Sequence, residues 1–140
     1  MPNGKIDCFL DSNILLHAAA GRSNDPRKHA ISRDLVLGRN FGVSGQSLAE
    51  FTSVARRRRM LADDTLDAWL DHLGNLPLVA VDHTIVRVGL VMARRYRISY
   101  YDAALLAAAE RLGAPVFFTE DLNHNQIYGS VRAINPFIEH

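Results

Sequence analysis

Short apolar runs, each answered by a stretch of helical period, constrain this chain more than anything else in its sequence. Ile6-Asp7-Cys8-Phe9-Leu10 is brief and partly aromatic, as a buried strand should be, and helix is expected from Ile14 onward after the polar Asp11-Ser12-Asn13. Asp25-Pro26 supplies an N-cap and an N1 proline, and Ala30, Ile31, Leu35 and Val36 form a stripe that stops near Gly38. Phe41-Gly42-Val43 reads as a second strand, and Ser47 is expected to open a helix that runs through the arginines at 56–59. Leu66, Trp69, Leu70 and Leu73 then recur at i, i+3, i+4 and i+7, with Trp69 as a core residue.

The alternation continues to the end of the chain. Leu78-Val79-Ala80-Val81 predicts a third strand, and Asp82 caps a helix whose inner face carries Ile85, Val88, Met92 and Tyr96. Ser99 begins the most apolar helix; residues 103–112 are greasy on all sides, which implies a central position, and Gly113 closes it. Val116-Phe117-Phe118 is a fourth strand and Val131-Arg132-Ala133-Ile134 a short last one before Asn135-Pro136. Strands that alternate with helices predict an α/β fold, an α/β/α sandwich around a mostly parallel sheet of roughly four to five strands, in one domain over residues 1–140.

Composition narrows the classes of function. The 140 residues are 48% apolar, and 16 Lys+Arg against 15 Asp+Glu leave a net charge of +1, so neither a disordered chain nor a basic arm is indicated. No apolar run approaches the roughly 20 residues that cross a bilayer, and the first residues lack a signal-peptide core, so no membrane association and a cytoplasmic location are expected. Cys8 has no second cysteine with which to form a disulfide or a metal knuckle, and its neighbours suggest a buried strand residue. Fourteen of the sixteen cations are arginine, four of them consecutive at Arg56, Arg57, Arg58 and Arg59. Arginine chelates phosphate bidentately, but such a run is more often a solvated helix face.

In open α/β sheets ligands bind beyond the carboxyl ends of the strands, so the polar residues that follow each apolar run carry the chemistry. Asp11 follows the first strand, Glu50 lies one turn beyond the second, Asp102 heads the buried helix, and Asp121 lies three residues past Phe118. Each has a structural explanation alone. Ser47 with Glu50, and Ser99 with Asp102, have capping-box spacing, while Asp11 and Asp121 suit turns. Together they describe mutually repelling carboxylates that need a cation, and hard oxygen ligands without Cys or clustered His select Mg²⁺ or Mn²⁺. Helix N-termini under Glu50 and Asp102 would keep both ionised. One or two such metals activate water against a phosphodiester, which is nuclease chemistry.

The segments Phe9-Leu10-Asp11-Ser12-Asn13-Ile14-Leu15, Ser47-Leu48-Ala49-Glu50-Phe51, Tyr101-Asp102-Ala103-Ala104-Leu105 and Phe118-Thr119-Glu120-Asp121-Leu122 resemble, in that order, the four motifs of PIN domains. Gly129, Arg132, Ala133, Ile134, Asn135, Pro136 and Phe137 are similar to the closing strand of the VapC-like toxin subgroup. The resemblance implies a metal-dependent single-strand endoribonuclease, the toxin of a toxin–antitoxin pair, with Asp11, Glu50, Asp102 and Asp121 as catalytic acids and ligands of Mg²⁺ or Mn²⁺. It further implies that Ser12 or Thr119 orients a carboxylate or water, that Asn13 ties the first loop to the site, and that Glu120 is subordinate to Asp121. His124 and Asn125 are expected to have a structural or rim role rather than a catalytic one. An RNA substrate, a cognate antitoxin and a homodimer are the implied partners, with Leu35, Leu37 and Leu61 as candidate interface positions.

Two other readings compete. A phosphatase of the haloacid-dehalogenase type also places an aspartate after its first strand, but Asn13 stands where its second aspartate is expected and no lysine follows Lys28. A catalytically silent RNA-binding module is the alternative from another class, although such modules usually lose acids that are all present here.

Overall fold

The computed structural model describes residues 5–21 and 25–138. The elements run β1 (Cys8–Leu10), α1 (Ser12–Ala20), α2 (Pro26–Gly38), β2 (Phe41–Ser44), α3 (Gly45–Arg57), α4 (Asp63–Gly74), β3 (Leu78–Val79), α5 (His83–Tyr96), α6 (Tyr100–Arg111), β4 (Val116–Phe118), β5 (Ile127–Tyr128) and β6 (Val131–Ile134). They form one six-stranded sheet in the order β3-β2-β1-β4-β6-β5, parallel throughout except where β5 returns against β6.

The pleat sorts the core into two layers. Phe9 and Phe117 point to one face, where their rings meet edge to face at 5.7 Å beneath α5 and α6. Cys8, Leu10 and Phe118 point to the other, against α1, α2, α3 and α4. Every residue of the run 103–109 is buried, so α6 is the central helix its composition implies. Gly89 lets α5 lie close against it: a Cβ there would stand 3.1 Å from Ala104 Cα and 3.2 Å from Ala104 Cβ. Cys8 is fully buried, and burial pushes its thiol up to about 12, so it is an inert core residue. Among the described residues no helix is long and apolar enough to cross a membrane.

Polar side chains start most of the helices. Asp11, Asp25, Ser44, Asp82 and Ser99 each accept a backbone N–H from the first turn of the helix that follows. One of these corrects an expectation: the cap of α3 is Ser44, and Ser47 is its reciprocal partner inside the helix, because β2 runs directly into α3. Glu50 is therefore the sixth residue of α3, beyond the reach of a capping box.

Other departures follow from packing. Leu35 belongs to the core and Leu61 packs against it, whereas Leu37 alone of that trio is strongly exposed, at 77%. On α5 Val88 faces outward and Gly89 inward, since the close approach of α6 selects the residue without a side chain. Ala30 is likewise exposed, its expected place taken by the buried Ser32. The sheet has six strands, one beyond the expected range, because the two-residue β5 exists only through its pairing with β6. The arginine run does not stay helical: Arg57 ends α3, Arg58 is its C-cap and Arg59 takes the left-handed region at φ 50°.

Candidate active site

Strand order reverses at β1, whose neighbours β2 and β4 are reached by chain excursions to opposite sides. This switch point lies beyond the carboxyl ends of β1 and β4, the usual ligand position in such a sheet. Asp11 leaves β1 there and Thr119 leaves β4.

Asp11 is 4% exposed and held on both carboxylate oxygens. Oδ1 accepts the Ser12 N–H at 2.7 Å and lies 3.4 Å from the Ser12 hydroxyl, while Oδ2 accepts the Thr119 hydroxyl at 2.7 Å. Thr119 Oγ1 in turn accepts the Asp121 N–H at 3.1 Å, so its single proton is directed at Asp11. The fourth motif thereby orients the first through a buried hydroxyl.

The other acids approach from two further elements. Glu50 Oε1 is 3.5 Å from Ser12 Oγ, and its Oε2 faces Gln46 Nε2 at 3.4 Å. That Gln46 amide also donates to Tyr101 O at 3.0 Å, linking α3 to the first turn of α6. Sequence reasoning missed Gln46; its signal was the four-residue spacing to Glu50 on one helix face. Asp102 Oδ2 accepts the Ser99 hydroxyl at 3.0 Å, while the Asp102 N–H donates to Ser99 Oγ at 3.2 Å.

Electrostatics show that the four acids share a field. Burial pushes the Asp11 carboxyl up to about 7, with the Asp121 charge adding to the rise. Burial also raises Glu50, helped by Asp102 and Asp121, and raises Asp102, helped by Asp121. Glu50 lies past the first turn of α3, where the helix dipole has faded, whereas Asp102 lies in the first turn of α6, and at both positions burial raises the carboxyl more than the favourable contacts lower it. The donor set suits a hard cation, being oxygen only and unfavourable to charge without one. Among the described residues no three His, Cys, Asp or Glu side chains are already drawn together as a metal cage. Asp121 is exposed while Asp11 is buried, so the acids stand at different depths.

A family model for the PIN domain matches residues 8–130. The chain belongs to the PIN domain family. No curated protein sequence matches it. Among solved structures, a toxin–antitoxin complex from Klebsiella pneumoniae has a chain that superposes with a TM-score of 0.70 at 15% identity, over 94% of this chain and 98% of that one. VapC20 from Mycobacterium tuberculosis, a toxin that cleaves the sarcin-ricin loop, gives 0.66 at 18% identity over 82% and 92%. VapBC2 from Rickettsia felis, bound to a promoter DNA fragment, gives 0.60 at 13% identity over 91% and 97%. At these identities the likeness is one of fold.

The remaining candidate residues of this PIN domain separate into groups. Glu120 turns away from the four acids toward α2: its Oε2 pairs with Lys28 Nζ at 2.9 Å and its Oε1 is 3.9 Å from His17 Nε2. Burial, and then Lys28, lower the His17 pKa, which favours a neutral ring there. Asn13, Leu16, His17, Arg58, Met60 and Glu120 line a hollow of about 210 Å³. Arg56 and Arg57 border a separate depression with Thr52 and Ser53. All four arginines are exposed, and among the described residues none of them is in an ion pair. His124 and Asn125 secure the loop before β5: Nδ1 of His124 accepts the Asn135 N–H at 3.0 Å, and the Asn125 N–H donates to Ala133 O at 2.8 Å.

Proposed function

We propose that this PIN domain, one domain over residues 1–140, is a Mg²⁺- or Mn²⁺-dependent single-strand endoribonuclease, the toxin of a toxin–antitoxin pair that acts in the cytoplasm. The observation that carries the reading is that Asp11, Glu50, Asp102 and Asp121, from four separate parts of the chain, are linked by mutual charge effects near the sheet's switch point. The structures that share the fold support it, since one is a toxin–antitoxin complex and another a toxin that cleaves the sarcin-ricin loop.

The four carboxylates would hold the ion, which supplies the positive charge that makes a water nucleophilic and steadies the departing oxygen of a phosphodiester. The chain's own contribution is preorganisation. Thr119 and Ser12 fix Asp11 so that its carboxylate does not rotate away, Gln46 holds Glu50 against α6, and Ser99 sets Asp102. Asp121, being exposed, is the acid that incoming substrate and solvent meet first. The exposed arginines at 56–59 offer phosphate contacts along the outgoing strand. An antitoxin would oppose this by bringing a basic side chain to the acidic residues, and a homodimer is the assembly expected of the toxin.

Incubation of the purified protein with a mixed RNA pool in Mg²⁺ or Mn²⁺, with a chelator arm, tests the reading. New internal ends that vanish with chelator are expected. Retained RNA binding without cleavage under every metal condition would instead favour the catalytically silent module.

A further inference from the structure

The hollow lined by Asn13, Leu16, His17, Arg58, Met60 and Glu120 is joined to the acidic residues through the chain itself. Asn13 follows Asp11 and Ser12, and Glu120 stands between Thr119 and Asp121. At about 210 Å³ it is smaller than the roughly 300–1,000 Å³ of sites that take a whole small molecule, so it suits one group of limited size.

Its lining has the chemistry of a nucleobase rather than a phosphate. Leu16 and Met60 give apolar surface, Arg58 brings a planar guanidinium with no ion-pair partner among the described residues, and Asn13 offers both a donor and an acceptor. Glu120 would repel a phosphate but accepts N–H groups. It is also held in place: Lys28 takes one acceptor position at 2.9 Å, and Lys28 Nζ itself sits 5.0 Å over the Phe137 ring, which the His17 ring meets edge-on at 5.6 Å. An ionised carboxylate has about four acceptor positions, so several remain for a ligand.

We infer that this hollow is a base-selecting subsite, resting on the ribonuclease reading above, which takes one unstacked base next to the scissile phosphate and prefers guanine. Guanine presents two adjacent donors, N1–H and the N2 amino group, on one edge, and these match the two oxygens of Glu120. Arg58 stacks on the base face or the apolar floor receives it, as single-stranded bases are commonly held. Adenine, cytosine and uracil each lack that donor pair.

The test separates binding from cutting. Short uridine oligonucleotides that carry one guanine, inosine, adenine or cytosine are titrated against the full chain in chelator, and the same set is cleaved in Mn²⁺. Inosine keeps N1–H and loses the amino group. Guanine should exceed the other bases by roughly tenfold or more, the scale of a good base-edge contact, with inosine intermediate. In Glu120→Gln the guanine-to-inosine ratio should collapse toward one, whereas Arg58→Ala should weaken every oligonucleotide by a similar factor. Cleavage without base preference, or a guanine-to-inosine ratio unchanged in Glu120→Gln, overturns the subsite alone. Base-selective binding with no cleavage supports the subsite and overturns the nuclease reading, and neither binding preference nor cleavage overturns both.

Discussion

The hydroxyl of Thr119 donates to Asp11 Oδ2 at 2.7 Å, joining the ends of two adjacent parallel strands across 108 residues of sequence. Both residues are buried, and the Asp121 N–H occupies the hydroxyl's acceptor side, so this bond has one orientation only. Thr119→Val keeps the shape and removes the donor. Leaving a buried carboxyl oxygen unsatisfied should cost about 1–3 kcal/mol in urea denaturation and reduce cleavage at least tenfold, while Thr119→Ser should recover most of both. Full activity in the valine variant would remove Thr119 from the positioning of Asp11.

Asp11→Asn is expected to abolish metal-dependent cleavage while leaving the metal-free protein as stable or more so. The amide cannot supply the negative charge a cation needs, yet it relieves the repulsion from Asp121 and the cost of burying charge. Cleavage assays and thermal melts on the same preparation check both halves, and substantial cutting by the variant would exclude Asp11 from the metal site.

The raised Asp11 carboxyl also predicts a pH dependence of stability. Its ordinary value of 3.8 applies to the unfolded chain and about 7 to the folded one, so between these limits the unfolded state has released a proton that the folded state still holds. Metal-free stability from this group is therefore fully present below about pH 4 and lost as pH rises to about 7, by up to about 4 kcal/mol. Glu50 and Asp102 are raised and act in the same direction. Urea midpoints between pH 4.5 and 8 should fall for the wild type, fall less for Asp11→Asn, and recover at pH 8 on addition of Mg²⁺. A flat wild-type profile would contradict the burial cost assigned to Asp11.

Arg56→Ala and Arg57→Ala should weaken binding of every single-stranded RNA by a similar factor and lower the salt dependence by roughly one ion per lost contact. Neither substitution should disturb the fold, because both side chains are exposed at the end of α3. Titration at two salt concentrations checks this, and unchanged affinity and slope would retire the phosphate-contact role.

Ser32 is fully buried in α2 with a hydroxyl that has no hydrogen-bond partner among the described residues. Ser32→Ala removes an unsatisfied polar group and places a better helix former in the same turn, so stability should hold or rise by up to about 1 kcal/mol. A loss greater than that in chemical denaturation would reveal a partner for the hydroxyl.

Local chemistry already determined much of this protein. Asp25-Pro26, Asp82 and Ser99 start their helices as capping residues because the groups they satisfy lie within four residues of them. The all-apolar stretch 103–109 had nowhere to go but the centre, and polar residues just past buried strands emerge at the sheet's carboxyl edge, which made Asp11 and Asp121 candidates, while Glu50 and Asp102 stood out near the starts of α3 and α6. What required the tertiary structure depended on partners distant in sequence. Glu120 leaves the acids because Lys28, 92 residues away, captures it. Strand β5 is too short to show a period and exists by virtue of β6, while Gly89 faces inward because Ala104 leaves no room for a side chain. The arginine run turns at Arg58 and Arg59 because Met60 and Leu61 must return to the core. Periodicity reports which residues can be buried; only the packed neighbours decide which of them are, and where a charge finds its partner.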